Sequence, residues 1–319
     1  MDLSIIIVNW NSKDYLFKAI ASVEADTKGI DFEMVVIDGG SFDGCAEMLR
    51  QVYPHIVFIQ RDKNLGFAKA NNEAFKVSRG RTLLFLNPDT EVEGHAVTTL
   101  YDQLNILPDV GMVGPKLLNS DRSLQQSCIR AFPTILNQVL ESDLLRAMFP
   151  TSELWGMRPL LERDEKAKEV EAISGACLMI KKSVFEEVGM FSTDYFMYSE
   201  DIDLSLKVRR AGLKTYYVPT AVVVHHGGGS TAQGCANTFS SVMMLESRWR
   251  FFQKTRSVWY TRSYRLAMFI TCVVRVGLVL FIWPIWRLRR KGSWGQAVLT
   301  KWIAKLRWTL GRESWVKDY

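Results

Sequence analysis

The residues able to hold charge or move a proton stand at the ends of apolar runs. Asn9 and Asn11 close the run Ser4–Val8, and Asp38 closes Glu33–Ile37. Asn64 follows Ile56–Ile59, and Asn87-Pro88-Asp89 follows Thr82–Leu86. A carboxylate placed like Asp89 can bind a hard divalent cation, which takes oxygen ligands and usually also holds substrate phosphates. Asp38 ends its buried run pointing at the cleft, where it can accept from the N–H of a pyrimidine base or from a ribose hydroxyl. Asp43 instead suits the cap of the helix that follows it. In Glu200-Asp201-Ile202-Asp203, three acids oppose a helix dipole, and one of them can take a proton from an attacking hydroxyl. His225-His226 follows Val222–Val224 and precedes three glycines. Side chains alternate along a strand, so only one of these two imidazoles can face a shared site. A neutral imidazole there would be a further ligand for the cation at Asp89.

The elements that must position these groups are legible from periodicity. Helix-like stretches at Lys13–Val23, Cys45–Val52 and Phe67–Ser78 alternate with the apolar runs, which predicts β-α-β-α-β-α-β with parallel, buried strands. Ligands of such sheets bind outside the carboxyl ends of the strands, where the polar residues lie. The fold class expected is α/β, a Rossmann-like, mostly parallel sheet flanked by helices. Beyond it, Glu93–Leu107 reads as a helix. Val110–Leu118 reads as a strand that Gly114-Pro115 would bend or place at an edge. Ser120–Arg130 reads as a hairpin or loop, Pro133–Phe149 as a helix, and Glu162–Glu171 as a charged helix or loop. Ile173–Ile180 reads as a buried strand, Ser183–Val188 and Ile202–Ala211 as helices ended by Gly189 and Gly212, and Thr215–Pro219 and Ala221–Val224 as short strands.

The 319 residues suffice for a substantial core. The net charge of +6 is unevenly spread: Arg248–Tyr319 holds sixteen Lys and Arg against two Asp and Glu, and the rest of the chain is acidic. Five scattered cysteines with no C-x-x-C pair fit a reducing compartment and give no sign of zinc or disulfides. The first residues run straight into a strand, and no signal peptide is expected. Leu266–Trp286 contains one charge, Arg275. As a helix it would be ~31 Å long, about a bilayer core. Basic residues flank it on both sides, against the positive-inside rule. Trp294–Leu310 mixes Trp294, Trp302 and Trp308 with Lys301, Lys305 and Arg307, the composition of a surface-lying membrane helix. The expectation is peripheral or re-entrant association with an anionic membrane surface, with a single span over 266–286 as the alternative.

There is no G-x-x-x-x-G-K-[ST], no G-x-G-x-x-G after a strand, no G-x-S-x-G and no H-E-x-x-H, so ATPase, dinucleotide, esterase and zinc-protease readings lack support. The chain resembles family 2 inverting glycosyltransferases of the GT-A fold, in particular the bacterial rhamnosyltransferase-like branch. The resemblance rests on Ser4–Asn11, Val35–Gly44, Asn64–Asn72, Leu83–Val92, Ser174–Ile180, Val188–Leu204 and His225–Thr231, in the family order across roughly residues 3–231. It implies a nucleotide-sugar pocket formed by Asn9, Asp38, Asn64, Gly66, Asn71, Asn87 and Gly175. It implies metal ligation of Mg²⁺ or Mn²⁺ by Asp89 and His225, with Ser230 completing an H-x-x-x-x-S arrangement, and Asp201 as catalytic base. Asn87 stands where many relatives carry the first Asp of D-x-D, and Gly39 replaces a common Asn. The donor implied is a dTDP- or UDP-sugar, with rhamnose suggested. The acceptor implied is a polyprenyl-diphosphate-linked or polysaccharide glycan in cell-surface synthesis at the cytoplasmic face of the inner membrane. No nucleic-acid partner is expected. The domains expected are a GT-A unit over 1–245, with nucleotide-binding half 1–92 and acceptor half 93–245, and a basic helical membrane-associating tail over 246–319. The rival readings are a sugar-1-phosphate nucleotidyltransferase, against which Asn9-Trp10-Asn11 is no Gly/Arg-rich phosphate loop, and a non-catalytic membrane-bound scaffold.

Overall fold

Strands covered on both faces read as continuous apolar runs, and the first strand is one: Leu3, Ile5, Ile6 and Ile7 have no exposed surface. The computed structural model describes residues 1–140, 148–149, 152, 165–227, 238–288 and 292–318. It begins β1 (Leu3–Asn9), α1 (Lys13–Asp26), β2 (Phe32–Asp38), α2 (Cys45–Val52), β3 (Val57–Gln60), α3 (Phe67–Phe75) and β4 (Thr82–Leu86), the alternation expected. Next come β5 (Thr90–Glu93), α4 (Ala96–Ile106), β6 (Val110–Leu118), β7 (Ile129–Arg130), α5 (Ile135–Val139), β8 (Lys168–Val170), β9 (Ala172–Ile173) and β10 (Cys177–Lys181). The chain continues with α6 (Lys182–Glu187), α7 (Glu200–Arg210), β11 (Lys214–His225), α8 (Thr238–Thr255), α9 (Val258–Leu288) and α10 (Gly292–Thr309).

The main sheet runs β3-β2-β1-β4-β10-β6-β11-β5, with β8 also on β11. It is a mixed sheet in which parallel pairing predominates. The β3-β2-β1-β4 ladders are parallel, and β10 is antiparallel to both β4 and β6. The reversal matters because it delivers the start of β10 to the carboxyl end of β4, where Asn87 N–H donates to the Ala176 carbonyl at 2.8 Å.

Several expectations are corrected. β6 is an interior strand despite Gly114-Pro115. Pro115 pairs with Val218 of β11, just where the β11 register shifts between Val218 and Val222, so the missing N–H is absorbed by an irregularity. β11 is one twelve-residue strand, not two pieces. The charged run contributes an edge strand, β8, with Val170 buried and Lys168 and Glu169 outward; its residues 162–164 lie outside the described residues. Of the helix expected over Pro133–Phe149, α5 covers Ile135–Val139, capped by Thr134 and Asn137 in a reciprocal box, and 141–147 lie outside the description. The expected hairpin is present: Leu118 bridges Leu124, Asn119 N–H donates to the Ser123 carbonyl at 2.8 Å, and Gln125 N–H to that of Leu117 at 2.9 Å.

A second apolar cluster joins Phe251, Phe252, Tyr264, Met268 and Trp308 of the C-terminal helices to Tyr195 and Ile202 beside α7. The division expected after residue 245 falls inside α8, whose Ser247 hydroxyl donates to the Met197 carbonyl at 2.8 Å. Val258–Pro284 of α9 is long and apolar enough to cross a membrane. Tyr264, Met268 and Cys272 are buried, whereas Leu266, Ile270, Val274, Leu278 and Phe281 are more than half or about half exposed. The central Arg275 lies over the Trp302 ring of α10, 5.5 Å from its centre.

Candidate active site

Strand order brings the polar strand ends to one edge. β1 pairs with β2 so that Asn9 stands opposite Asp38, and the Asn9 amide donates to Asp38 Oδ2 at 2.8 Å. Asp38 is fully buried and also accepts from the Gly40 and Ser41 N–H groups, the Ser41 hydroxyl and the Cys45 thiol. Burial works against its charge, but the Ser41 and Asn9 donors and the thiol outweigh it and hold its carboxyl below the usual range. Burial, and then this carboxylate, push the Cys45 thiol up to about 12, so it stays a donor. Asp38 thus organises the 38–45 turn with all its donors internal, and Asn9 Oδ1 is left as a buried acceptor with no hydrogen-bond partner.

The turn leans on the next loop. A Cβ at Gly39 would come 3.1 Å from the Asn64 Cα, and Asn64 Oδ1 accepts from the Gly66 N–H at 2.9 Å. Gly66 has φ +77°, and a Cβ there would sit 2.3 Å from the Phe196 carbonyl oxygen, which accepts from the Phe67 N–H at 2.8 Å. Only glycine permits both the left-handed backbone and this approach. Asn71 is buried, and its amide donates back to the Phe67 carbonyl at 2.9 Å.

Asp201 sits in the first turn of α7, nearly fully buried. Its Oδ2 accepts from the Gly175 N–H at 3.0 Å and its Oδ1 from the Ile202 N–H at 2.8 Å. Arg130 Nη1 is 3.7 Å from Oδ2. A Cβ at Gly175 would touch Asp201 Cβ at 3.3 Å. The two residues before α7, Tyr198 and Ser199, both have positive φ, +68° and +70°, a conformation that costs energy for residues with side chains. Arg248 of α8 donates to the Ser199 hydroxyl at 2.8 Å and supports this turn. The neighbouring acids have other surroundings. Asp203 is taken up by Ser192, Tyr195, Lys207 and Lys254. Burial, then the charge of Asp201, push Glu200 up to about 8, and its Oε2 has no hydrogen-bond partner.

The pairing of β5 with β11 sets His225 opposite Thr90 and so beside Asp89. His225 Nε2 lies 3.3 Å from Asp89 Oδ1 and 3.3 Å from the Asn87 amide. His226 faces the other way, to Glu91 and Ser120 at 2.8 Å each. His225 is therefore the imidazole on the Asp89 side. Among the described residues no group of three or more His, Cys, Asp or Glu could hold a metal. One carboxylate and one imidazole still fit a hard ion that keeps waters and takes substrate phosphates for its other positions. Ser230 lies outside the described residues.

These contacts form one chain along the edge, from Asn9 and Asp38 through Asn64, Gly66 and Phe67 to Gly175 and Asp201, and from Ala176 through Asn87 to Asp89 and His225. The family model described as "Glycosyl transferase family 2" matches residues 4–189, more than half of the chain. The chain belongs to glycosyl transferase family 2. A second model, "Glycosyl transferase family group 2", matches residues 142–311. Among similar proteins, the N-acetylglucosaminyl-diphospho-decaprenol L-rhamnosyltransferase of Mycobacterium tuberculosis is 27% identical over 82% of this chain and 88% of its own. Rhamnosyltransferase WbbL of Escherichia coli is 24% identical over 79% of this chain and 93% of its own. Among solved structures, GalNAc-T7 with UDP, GalNAc and Mn²⁺ aligns with a TM-score of 0.59 at 17% identity, over 79% of this chain and 48% of that one. The mannosyltransferase PcManGT of Pyrobaculum calidifontis, with GDP-Man and Mn²⁺, aligns at 0.57 and 15% identity, over 98% and 87%. These establish the GT-A fold, and the chain is a glycosyltransferase.

Within this family 2 chain, sequence reading passed over Gln125, Arg130 and Arg248. Gln125 and Arg130 sit at and beyond the hairpin, and Arg248 comes from the tail. Only three-dimensional contact ties them to His225, Asp201 and Ser199.

Proposed function

We propose that the protein transfers a hexose, rhamnose being the leading candidate, from a nucleotide diphospho-sugar to a polyprenyl-diphosphate-linked acceptor, with inversion, at the cytoplasmic face of the membrane. The observation that carries this reading is the contact chain joining the carboxylate of Asp201, through Gly175 and Ala176, to Asn87, Asp89 and His225. A proton acceptor and a small cation-binding set are joined by consecutive contacts on one edge. Asp201 is the base, held by two backbone N–H groups so that its carboxylate keeps one orientation toward an acceptor hydroxyl. Asp203 is committed to its own network and Glu200 is held toward its neutral form, which leaves Asp201 as the base of the three. Asp89 and His225 would hold Mg²⁺ or Mn²⁺, which when bound neutralises charge on a diphosphate leaving group. Asn9, Asn64, Gly66 and Gly175 shape the donor pocket. Asp38 and Asn71 do so indirectly, the first by fixing the 38–45 turn and the second by fixing the start of α3.

The acceptor class is supported by the diphospho-decaprenol in the name of the Mycobacterium tuberculosis relative and by the α9–α10 hairpin, whose exposed apolar residues Leu266, Ile270, Val274, Leu278 and Phe281 share these helices with Arg262, Arg265, Lys301 and Lys305. Apolar surface with basic residues is the make-up of an interfacial element on an anionic membrane. Residues 1–245 then supply the donor and acceptor sites and 246–319 the membrane contact, with α8 common to both.

The test is transfer by the purified full-length chain. dTDP-rhamnose and UDP-sugars are each offered with a polyprenyl-diphospho-N-acetylglucosamine, with Mn²⁺ or with chelator. Product with inverted anomeric configuration, dependent on divalent cation, is expected. Consumption of a sugar-1-phosphate and a nucleoside triphosphate, with release of pyrophosphate and formation of a nucleotide diphospho-sugar, would favour the nucleotidyltransferase reading instead.

A further inference from the structure

The hairpin between β6 and β7 carries a run of side-chain hydrogen bonds whose direction can be worked out from one end. At that end Asp121 Oδ1 accepts from the Ser123 hydroxyl at 2.5 Å and from the Ser123 N–H at 3.0 Å. Those bonds, the hydroxyl first, hold the Asp121 carboxyl below its usual range, and an ionised carboxylate can only accept. The Ser123 hydroxyl has thus spent its one proton on Asp121, and toward Asn119 it must accept, from Nδ2 at 2.9 Å. This orients the Asn119 amide, whose Oδ1 then faces Gln125 Nε2 at 3.0 Å. Gln125 Nε2 also reaches the His225 carbonyl, at 3.4 Å. Both partners of that nitrogen are acceptors, so the Gln125 amide is oriented too, and its Oε1 meets His225 Nδ1 at 2.8 Å. An acceptor there requires hydrogen on Nδ1.

We propose that Gln125 is a positioning residue: with Asn119 and Ser123 it fixes His225 as the Nδ1–H tautomer and so turns the Nε2 lone pair toward Asp89 and Asn87. The Asn87 amide is placed to donate to that lone pair in the absence of a cation. Asp89 Oδ1, 3.3 Å away on the same side, brings a second lone pair to the same space, a combination that a cation relieves. An acceptor on the far ring nitrogen fixes ring orientation and raises ligand basicity at metal-binding histidines. The inference rests on the reading of His225 as a cation ligand, but the tautomer itself is measurable without any metal.

The experiment uses the full-length chain labelled with ¹⁵N-histidine, which has only four histidines. Long-range ¹H–¹⁵N correlation reads the tautomer of each ring, and loss of one set of peaks in His225→Gln identifies His225. Mn²⁺ affinity is measured in parallel by electron paramagnetic resonance with Mn²⁺ alone. The wild type should show His225 as Nδ1–H. Gln125→Leu, similar in size but with no acceptor, should admit the Nε2–H form and weaken Mn²⁺ binding about 10- to 100-fold. Gln125→Glu, which keeps an acceptor, should restore Nδ1–H. Ser123→Ala, at an exposed position, should loosen the bias without threatening the fold. A wild-type Nε2–H ring, or a Gln125→Leu spectrum identical to wild type, overturns the proposal. Tautomer control that behaves as expected, with Mn²⁺ affinity unchanged in His225→Gln, retains it and retires the metal reading of His225.

Discussion

At the residue scale, the three acids of Glu200-Asp201-Ile202-Asp203 show how neighbours in sequence part company in space. Asp201→Asn should abolish nearly all turnover while donor binding, followed by calorimetry, stays within a few-fold of wild type. Asp89→Ala should weaken divalent-cation-dependent donor binding in the same assay. Glu200 leads to a pH prediction. Its folded-state value of about 8 lies above the ordinary 4.5, so the native state keeps a proton that the unfolded chain releases across that interval. The contribution is favourable below the interval and fades as pH rises toward 8. Thermal melts from pH 5 to 9 should therefore show wild type losing stability relative to Glu200→Gln over that range. Parallel curves would remove Glu200 from the account. The acid pair was visible in the sequence as a candidate, but which acid faced what was not: Ser192, Tyr195 and Lys254 claim Asp203 only once the loop before α7 and helix α8 are folded. Gly66 is similar. Its place beside the nucleotide half was expected, whereas the oxygen of Phe196 that forbids a side chain comes from far along the chain. Gly66→Ala should lower the melting temperature markedly, since strained φ and overlap with a carbonyl add together.

At the scale of elements, the alternation of the first ninety residues was readable because buried parallel strands and amphipathic helices follow their own periods. β5 escaped notice. Thr90–Glu93 is four residues long, and its period-2 pattern is too short to separate from a turn. Yet this strand, by pairing with β11, places His225 beside Asp89. β8 was hidden by charge, because an edge strand needs only one buried residue, Val170. α8 is the element that ties the tail to the site. Arg248→Met removes the donor to the Ser199 hydroxyl, a buried bond whose loss costs about 1–3 kcal/mol. It should lower the melting temperature and reduce kcat more than KM for donor. Equal kcat in a variant shown by circular dichroism to be folded would separate α8 from the chemistry.

At the scale of the molecule, the composition of the last seventy residues pointed to a membrane, and the structure adds that they cannot be regarded as an appendage. Arg250 Nη1 donates to the Asp194 carbonyl at 2.7 Å, and the Tyr260 hydroxyl accepts from the Ile135 N–H at 3.0 Å. Deleting the tail would strip the second apolar cluster, so the membrane contact is better tested by substitution. Ile270→Ser, Val274→Ser and Phe281→Ser together, all on exposed positions of α9, should abolish flotation with anionic liposomes and leave the melting temperature within a few degrees. Retained flotation would sink the proposed membrane face. The topology also imposes a timetable. Residues up to Leu86 complete four adjacent strands with local connections, and Asp89 leaves the ribosome with them. The imidazole that pairs with it is translated more than a hundred residues later, on a strand that must fold back across the sheet, and contacts of such sequence separation form late. A nascent chain therefore carries Asp89 well before the edge around it can close, and a chain stalled ahead of β11 would lack both His225 and the strand that seats it.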